Sequence, residues 1–243
     1  MAYRSDERAE PLEASATTGK LSLEIGATHV RLGLPSRTLV FAEQYVTLTE
    51  HKKRDRRSSW RLDGRVVVAR DVPRDDLGIW VEDSEGMLRI FDAAPTSLLD
   101  DGGLSALRAF DRLAHRLRGA LRPYAAHVNS AVEIGRGLDK VLLVDVDAHL
   151  DLYARPLFRE RAKLILRAGR DGEVVVAGAK GPVRCSSKYG VTVHGDYIRF
   201  FDRHGSDLAR VAVPWVTPED RREIARRIGE CVDQLSPTAS STG

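Results

Sequence analysis

The chain has 243 residues, 30% of them charged and 42% hydrophobic, and 38 Lys+Arg against 35 Asp+Glu leave a formal charge of +3. That near-balance excludes a uniformly basic nucleic-acid coat and an acidic tail protein, while the apolar share suffices for one large or two small cores. Two cysteines, Cys185 and Cys231, are too few for a disulfide scaffold or a cysteine-rich zinc site, and are expected to be reduced.

Residues 1–19 are polar, carry Pro11, Ser15, Thr17 and Thr18, and lack the apolar stretch of a signal peptide; they are expected to form a disordered tail. No apolar run approaches the ~18 residues of a membrane span. Residues 20–41 predict two strands around Leu34-Pro35-Ser36-Arg37, and 44–49 a third, followed by a charged loop over 51–57. Trp60-Arg61-Leu62 and residues 65–69 flank Asp63-Gly64 and predict a hairpin, because Asp-Gly supplies the positive φ of a tight turn. A second hairpin is expected from 78–83 and 87–91. Leu107, Phe110, Ala114, Leu117 and Leu121 recur at spacings of three and four and predict a helix over 104–121. Its other faces carry Arg108, Arg112, Arg116, Arg118 and Arg122; Pro123 ends it and opens a linker over 123–139.

The second half repeats this order. Strands are predicted at 141–152, 158–168, 173–177, 190–194, 197–202 and 208–213, and a helix at 218–235. Thr217 is the N-cap of that helix, Pro218 its first residue, and Glu219 and Asp220 lie in its first turn; Ile224, Ile228, Val232 and Leu235 form its apolar stripe. The Ser/Thr/Pro-rich segment 236–243 cannot bury apolar area and is expected to be a disordered tail. Residues 79–95 also align without a gap to 198–214, both reading strand, turn, strand, proline. The expected fold is α+β, mainly antiparallel β: two strand-rich barrels or half-barrels over 20–122 and 140–235, each closed by a C-terminal amphipathic helix.

Tyr197-Ile-Arg-Phe-Phe-Asp202, the turn after it, Leu208-Ala-Arg-Val-Ala-Val213, Pro214-Trp215 and the capped helix from Thr217 together resemble bacterial pleckstrin-homology-like (PH-like) domains. Residues 78–121 resemble them more weakly. The resemblance implies small bent antiparallel barrels in tandem, each plugged by its helix. It also implies a non-catalytic role, since the family mostly binds proteins, peptides or lipid head groups. It carries no shared functional residue over to this chain.

Three constellations invite chemistry. Lys52, Lys53, Arg54, Arg56 and Arg57, followed by Trp60, form the densest charge and are the candidate anion or partner loop, for a phosphate-bearing lipid head group or an acidic partner. Asp145, Asp147, His149 and Asp151 share one face if 141–152 is a single strand, which suggests a metal site. The bases Arg159, Arg161, Lys163 and Arg167 on the next strand favour a cross-strand ion-pair ladder instead. Val141-Leu-Leu-Val-Asp145-Val-Asp147 superficially resembles the first motif of haloacid-dehalogenase-type phosphatases, but that fold needs parallel strands alternating with helices, and only strands are read before Thr217. There is no Gly-x-Ser-x-Gly elbow, phosphate-binding glycine loop or His-Glu-x-x-His. The expectation is a cytoplasmic binding or adaptor protein with a protein or peptide partner. Alternatives are anionic-lipid recognition through the basic loop, a small-ligand cavity inside one barrel, and a phosphatase-like enzyme. No cofactor, metal or nucleic-acid partner is expected.

Overall fold

The computed structural model describes residues 12–18, 21–52, 54–72, 76–93, 104–124, 128–135, 140–154, 161–169, 173–177, 183–184, 190–202 and 204–233. The chain divides into two compact units: Met1–Asp63 with Ala93–Tyr124, and Gly64–Asp92 with Ala125–Gly243. Most described residues outside turns lie in antiparallel strands, with two α-helices and one 3₁₀ turn.

The first unit is a six-stranded antiparallel meander in chain order: β1 (Leu12–Thr18), β2 (Leu21–Gly26), β3 (His29–Leu34), β4 (Arg37–Ala42), β5 (Tyr45–Glu50) and β6 (Arg56–Arg61). Alternation decides which face is buried: Leu21 and Leu23, Val30 and Leu32, and Leu39 and Phe41 each lie two apart and are buried. Helix α1 (Leu104–Ala120) packs on β1 and β2 and buries Leu113, Ala114, Leu117 and, just past its end, Leu121. The side chains of Leu107 and Phe110 lie outside the described residues. The predicted basic face is exposed at Arg108, Arg112, Arg116 and Arg118. A 3₁₀ turn at Arg122–Tyr124 ends the helix and sets the Tyr124 ring 6.0 Å from that of Phe41.

The second unit holds a closed seven-stranded barrel. Its strands are β7 (Val66–Val72), β8 (Leu77–Asp83), β9 (Gly86–Ala93), β10 (Val128–Ile134), β11 (Val141–Val146), β12 (His149–Ala154) and β13 (Arg161–Gly169). Round the barrel the order is β7-β8-β9-β13-β12-β11-β10, closed by a parallel pairing of β10 with β7. Beyond its short contact with β9, β13 also pairs with β14 (Glu173–Val176), which pairs with β15 (Val183–Arg184). A separate antiparallel sheet contains β16 (Gly190–His194), β17 (Tyr197–Phe201) and β18 (Asp207–Ala212), and helix α2 (Pro218–Asp233) follows it.

Two cores share the strands β10–β13. Val67, Ala69, Trp80, Met87, Leu142, Val144, Val146 and Tyr153 fill the barrel interior. The opposite faces, with Ile134, Leu143, Leu152 and Leu166, pack against Ile198, Phe200, Val211, Ile224 and Ile228 of the small sheet and α2. Leu142 and Leu143 are therefore both buried, and β11 reads as an unbroken apolar run, as expected of a strand covered on both sides. The barrel interior is occupied by side chains, which works against a ligand cavity inside it.

Several expected elements are corrected. Residues 20–41 hold three strands, with an extra turn at Ala27–Thr28. Residues 12–18, read as tail, form β1, and the linker 123–139 contains β10. Asp63-Gly64 does not close a hairpin: β6 pairs with β5, while β7 pairs with β8 and β10. The strands β7–β9, which chain order placed with the first half, pair with strands of the second because barrel closure supplies the hydrogen bonds their edges need. Residues 1–11 and 234–243 and the side chains of Cys185 and Cys231 lie outside the described residues. Among the described residues, no helix is long and apolar enough to cross a membrane.

Candidate functional site

Asp145, Asp147, His149 and Asp151 do not share one face. Residues 147–148 form a turn, so β11 and β12 are a hairpin in which Asp145 faces Leu150, and Asp151 faces Val144. Asp151 consequently points with Val144 into the barrel, while Asp145 lies on the opposite face with Leu150. Among the described residues no group of three or more His, Cys, Asp or Glu side chains is placed to hold a metal ion. Both neighbours of β11 are antiparallel, unlike the parallel strands around a dehalogenase-type nucleophile.

Asp151 is fully buried and fixed by cations. Arg167, its cross-strand partner, donates from Nε at 2.7 Å and Nη2 at 3.0 Å. Arg65 donates from Nη2 at 3.1 Å and also grips Glu82, 2.7 Å from Nε and 3.0 Å from Nη2. The Tyr153 hydroxyl completes the cluster, 3.3 Å from both carboxylates. Burial opposes the Asp151 charge most strongly of any single cause, but the Arg167 hydrogen bonds together with the charges of Arg167, His149 and Arg65 outweigh it and hold the carboxyl below its ordinary value. The expected ion-pair ladder is thus present at Arg167–Asp151. Arg161 instead reaches Asp83, 2.7 Å away, and Lys163 the Glu85 carbonyl, while Arg159 lies outside the described residues.

Toward the other end of β7 lies a second buried cluster. Glu133 accepts from Trp80 Nε1 at 2.8 Å and Arg89 Nε at 3.2 Å, and Lys140 bridges Glu133 and Asp71. Sequence reading anticipated Arg167–Asp151 but not the rest of either cluster, because Arg65 lies 86 residues from Asp151, and Trp80 and Arg89 lie 53 and 44 residues from Glu133. In each, cations and carboxylates neutralise one another, so both serve the barrel's internal charge balance.

His149 sits beside the first cluster, with Nε2 3.3 Å from Asp151. Burial lowers its pKa below the ordinary 6.5, and the attraction of Asp151 recovers only part of this. Between the folded value and 6.5 the unfolded chain binds more protons than the folded one. Stability from this group is therefore complete above pH 6.5 and is lost as the pH falls through the folded value. Thermal melts should show Tm falling from pH 7 toward pH 5, with a shallower slope in His149→Gln. Equal slopes would remove His149 as the cause.

Among the described residues, the basic run is spread over an exposed loop and the start of a strand. Lys52 is exposed and 3.2 Å from Glu50, and the His51 ring lies 3.5 Å from Asp55. Arg54 is exposed, and Lys53 lies outside the described residues. Arg56 and Arg57 begin β6, so the predicted loop is shorter than 51–57. Trp60, half-buried on the same strand in register with Val46, is an odd number of residues from Arg57 and faces the opposite side.

A concavity lies where β16 runs beside α2. It is an open groove of about 680 Å³ lined by Val191, Thr192 and Val193 on the strand and Arg221, Arg222 and Ala225 on the helix, with Arg226 at its margin. Local chemistry builds it. Gly195 takes φ +57° in the turn after β16, which places Asp196 where its Oδ1 accepts from Arg221 Nη1 at 2.7 Å. Arg221, 6% exposed, also donates to the Val213 carbonyl and locks the helix onto the sheet. Thr217 caps α2 as expected, its Oγ1 accepting from the Asp220 amide at 3.2 Å. Val191 and Val193 share a face with Phe200 and Ile198, while Thr192 is exposed. Sequence reading named none of the groove-lining residues as a candidate site. The available signal was a second stripe on α2, with Arg221, Arg222, Ala225 and Arg226 at helical spacing beside the apolar one.

No protein-family model and no curated protein matches the chain. Among solved structures it is similar to a dihydro-heme d1 dehydrogenase, NirN, in complex with DHE, at 9% identity and a TM-score of 0.28. The alignment covers 83% of this chain and 57% of that one. A likeness of that size carries no argument about this protein.

Proposed function

We propose that the protein is a non-catalytic binding or adaptor module that receives an extended segment of a partner protein along β16. The observation that carries this reading is the edge itself. Among the described residues β16 pairs only with β17, and its other side lies in the groove against α2. An unpaired edge offers a row of N–H and C=O groups to a strand added from another chain. Edges that must stay unpaired usually carry charge. Strand β6, with Arg56, Arg57 and Arg61, is protected in that way. Strand β16, Gly-Val-Thr-Val-His, has no Lys, Arg, Asp or Glu.

The PH-like reading is consistent with this. The strands β10–β13, the strands β16–β18 and the C-terminal helix α2 share one core, as a strand-rich domain closed by its C-terminal helix would. The lipid alternative has less support, since Lys52 is paired with Glu50 and the run is interrupted by Asp55.

Peptides selected from a displayed random library on the full chain provide the test. Bound peptide should slow hydrogen exchange of the amides at 190–194. Thr192→Lys, which places a charge on an exposed edge position, should weaken binding at least about tenfold while changing Tm little. Peptides that protect other strands and are indifferent to this substitution would refute the groove as the site.

A further inference from the structure

We infer that the segment received by the β16–α2 groove is acidic, and that Arg222 selects it by pairing with one Asp or Glu side chain. The inference rests on the proposed role of the groove and adds the chemistry of its occupant.

The argument is a count of the charges that line the groove. Its helix wall presents Arg221, Arg222 and Arg226, and its turn presents Asp196. Arg221 is buried and committed to Asp196 and the Val213 carbonyl. Arg226 is committed to Glu223 and Glu230 on its own helix. Glu223 also accepts from Arg227, and the hydrogen bond from Arg226 holds its carboxyl ionised below the ordinary range. Asp196 and Glu223 are therefore already taken, and Glu219, one turn before Arg222, does not line the groove. Arg222 is exposed and has no ion-pair partner among the described residues. Helical spacing sets it beside Ala225 and Arg226, and the small Ala225 side chain leaves room at the groove floor.

A strand added beyond β16 projects alternate side chains toward α2. Those side chains meet Ala225 and the free guanidinium. One unpaired Arg balances one carboxylate. A dianionic phosphate would call for a second free cation, and both neighbouring arginines are already neutralised. The occupant is accordingly an unmodified acidic segment of about five residues, the length of β16, with an Asp or Glu at the position facing Arg222.

The test repeats the peptide selection with the wild-type chain, Arg222→Ala and Arg222→Glu. Wild type should enrich Asp or Glu at one fixed position. Binding of an enriched peptide should fall about threefold in Arg222→Ala and at least about tenfold in Arg222→Glu, and weaken with added salt. Selection on Arg222→Glu should enrich Lys or Arg at the same position. Peptides that protect 190–194 yet show no charge preference, or bind Arg222→Glu unchanged, overturn this inference and leave the groove reading intact. If no selected peptide protects 190–194, or if the edge is filled by a second copy of the chain, seen as a dimer that Thr192→Lys dissolves, the groove reading fails and this inference fails with it.

Discussion

Asp151→Ala should destabilise the protein by about 3–5 kcal/mol, the usual cost of removing one partner from a buried ion pair. The carboxylate is fully buried, and its loss strands Arg65, whose side chain is only 17% exposed, and removes the acceptor of both Arg167 hydrogen bonds. Arg65 keeps Glu82 but loses the second anion that balances its charge inside the barrel. Removing the other partner is expected to cost far less. The Arg167 side chain is 39% exposed, and after Arg167→Ala the carboxylate still has Arg65, so about 1 kcal/mol is expected. Asp151→Asn keeps the shape and one acceptor and should fall between the two. Urea unfolding followed by tryptophan fluorescence, to which the buried Trp80 contributes, measures all three. If Asp151→Ala and Arg167→Ala cost the same, the asymmetry argued from burial is wrong.

That cluster also shows why part of the fold was legible in the sequence and part was not. The pairing of Asp151 with Arg167 could be anticipated, because both lie on neighbouring strands of one local meander. Arg65 and Glu82 could not, because they reach Asp151 only after the barrel has closed. The β17–β18 hairpin and the start of α2 were readable for a similar local reason: the turn residues and the Thr217 cap act within a few positions of themselves. Strand β11 misled because burial on both faces erases the period of two that marks a half-buried strand. Its acids then continued an apparent alternation across the turn at 147–148. Strand β10, Val-Asn-Ser-Ala-Val-Glu-Ile, closes the barrel through a parallel pairing with β7, a contact no local pattern encodes. For the candidate site, the helix stripe was visible, but the groove needed the knowledge that, among the described residues, β16 pairs on one side only.

Barrel and groove use charge in opposite ways. In the barrel Arg65, Arg89 and Lys140 are each set against a carboxylate, which fixes strand positions and leaves little for a partner to read. In the groove the same bookkeeping leaves Arg222 over. A nearly neutral chain can therefore carry a directional docking surface, because neutrality is a sum over the whole molecule while recognition depends on the few charges left uncompensated.

Gly78→Ala should lower stability by about 3 kcal/mol, against the direction strand propensity predicts. In an ordinary strand, alanine for glycine adds roughly 0.5–1 kcal/mol by restricting the unfolded chain. At Gly78 an added Cβ falls inside van der Waals contact of Glu133 Oε1, 3.0 Å from its carboxyl carbon and 3.2 Å from Arg89 Nε. Backing away would break the bonds from Trp80 at 2.8 Å and Arg89 at 3.2 Å, and would leave a fully buried carboxylate and an indole N–H without their partners. The glycine is thus the seat of Glu133. A double-mutant cycle isolates this cause. Glu133→Ala is itself destabilising, because it strands Arg89 and the Trp80 N–H and leaves Lys140 with Asp71 alone, but it also removes the atom that the new methyl group meets. In that background Gly78→Ala should cost nothing further, or recover a few tenths of a kcal/mol from propensity. An equal penalty with and without the Glu133 side chain would show that the strain at Gly78 lies in the backbone and not in the seating of the carboxylate.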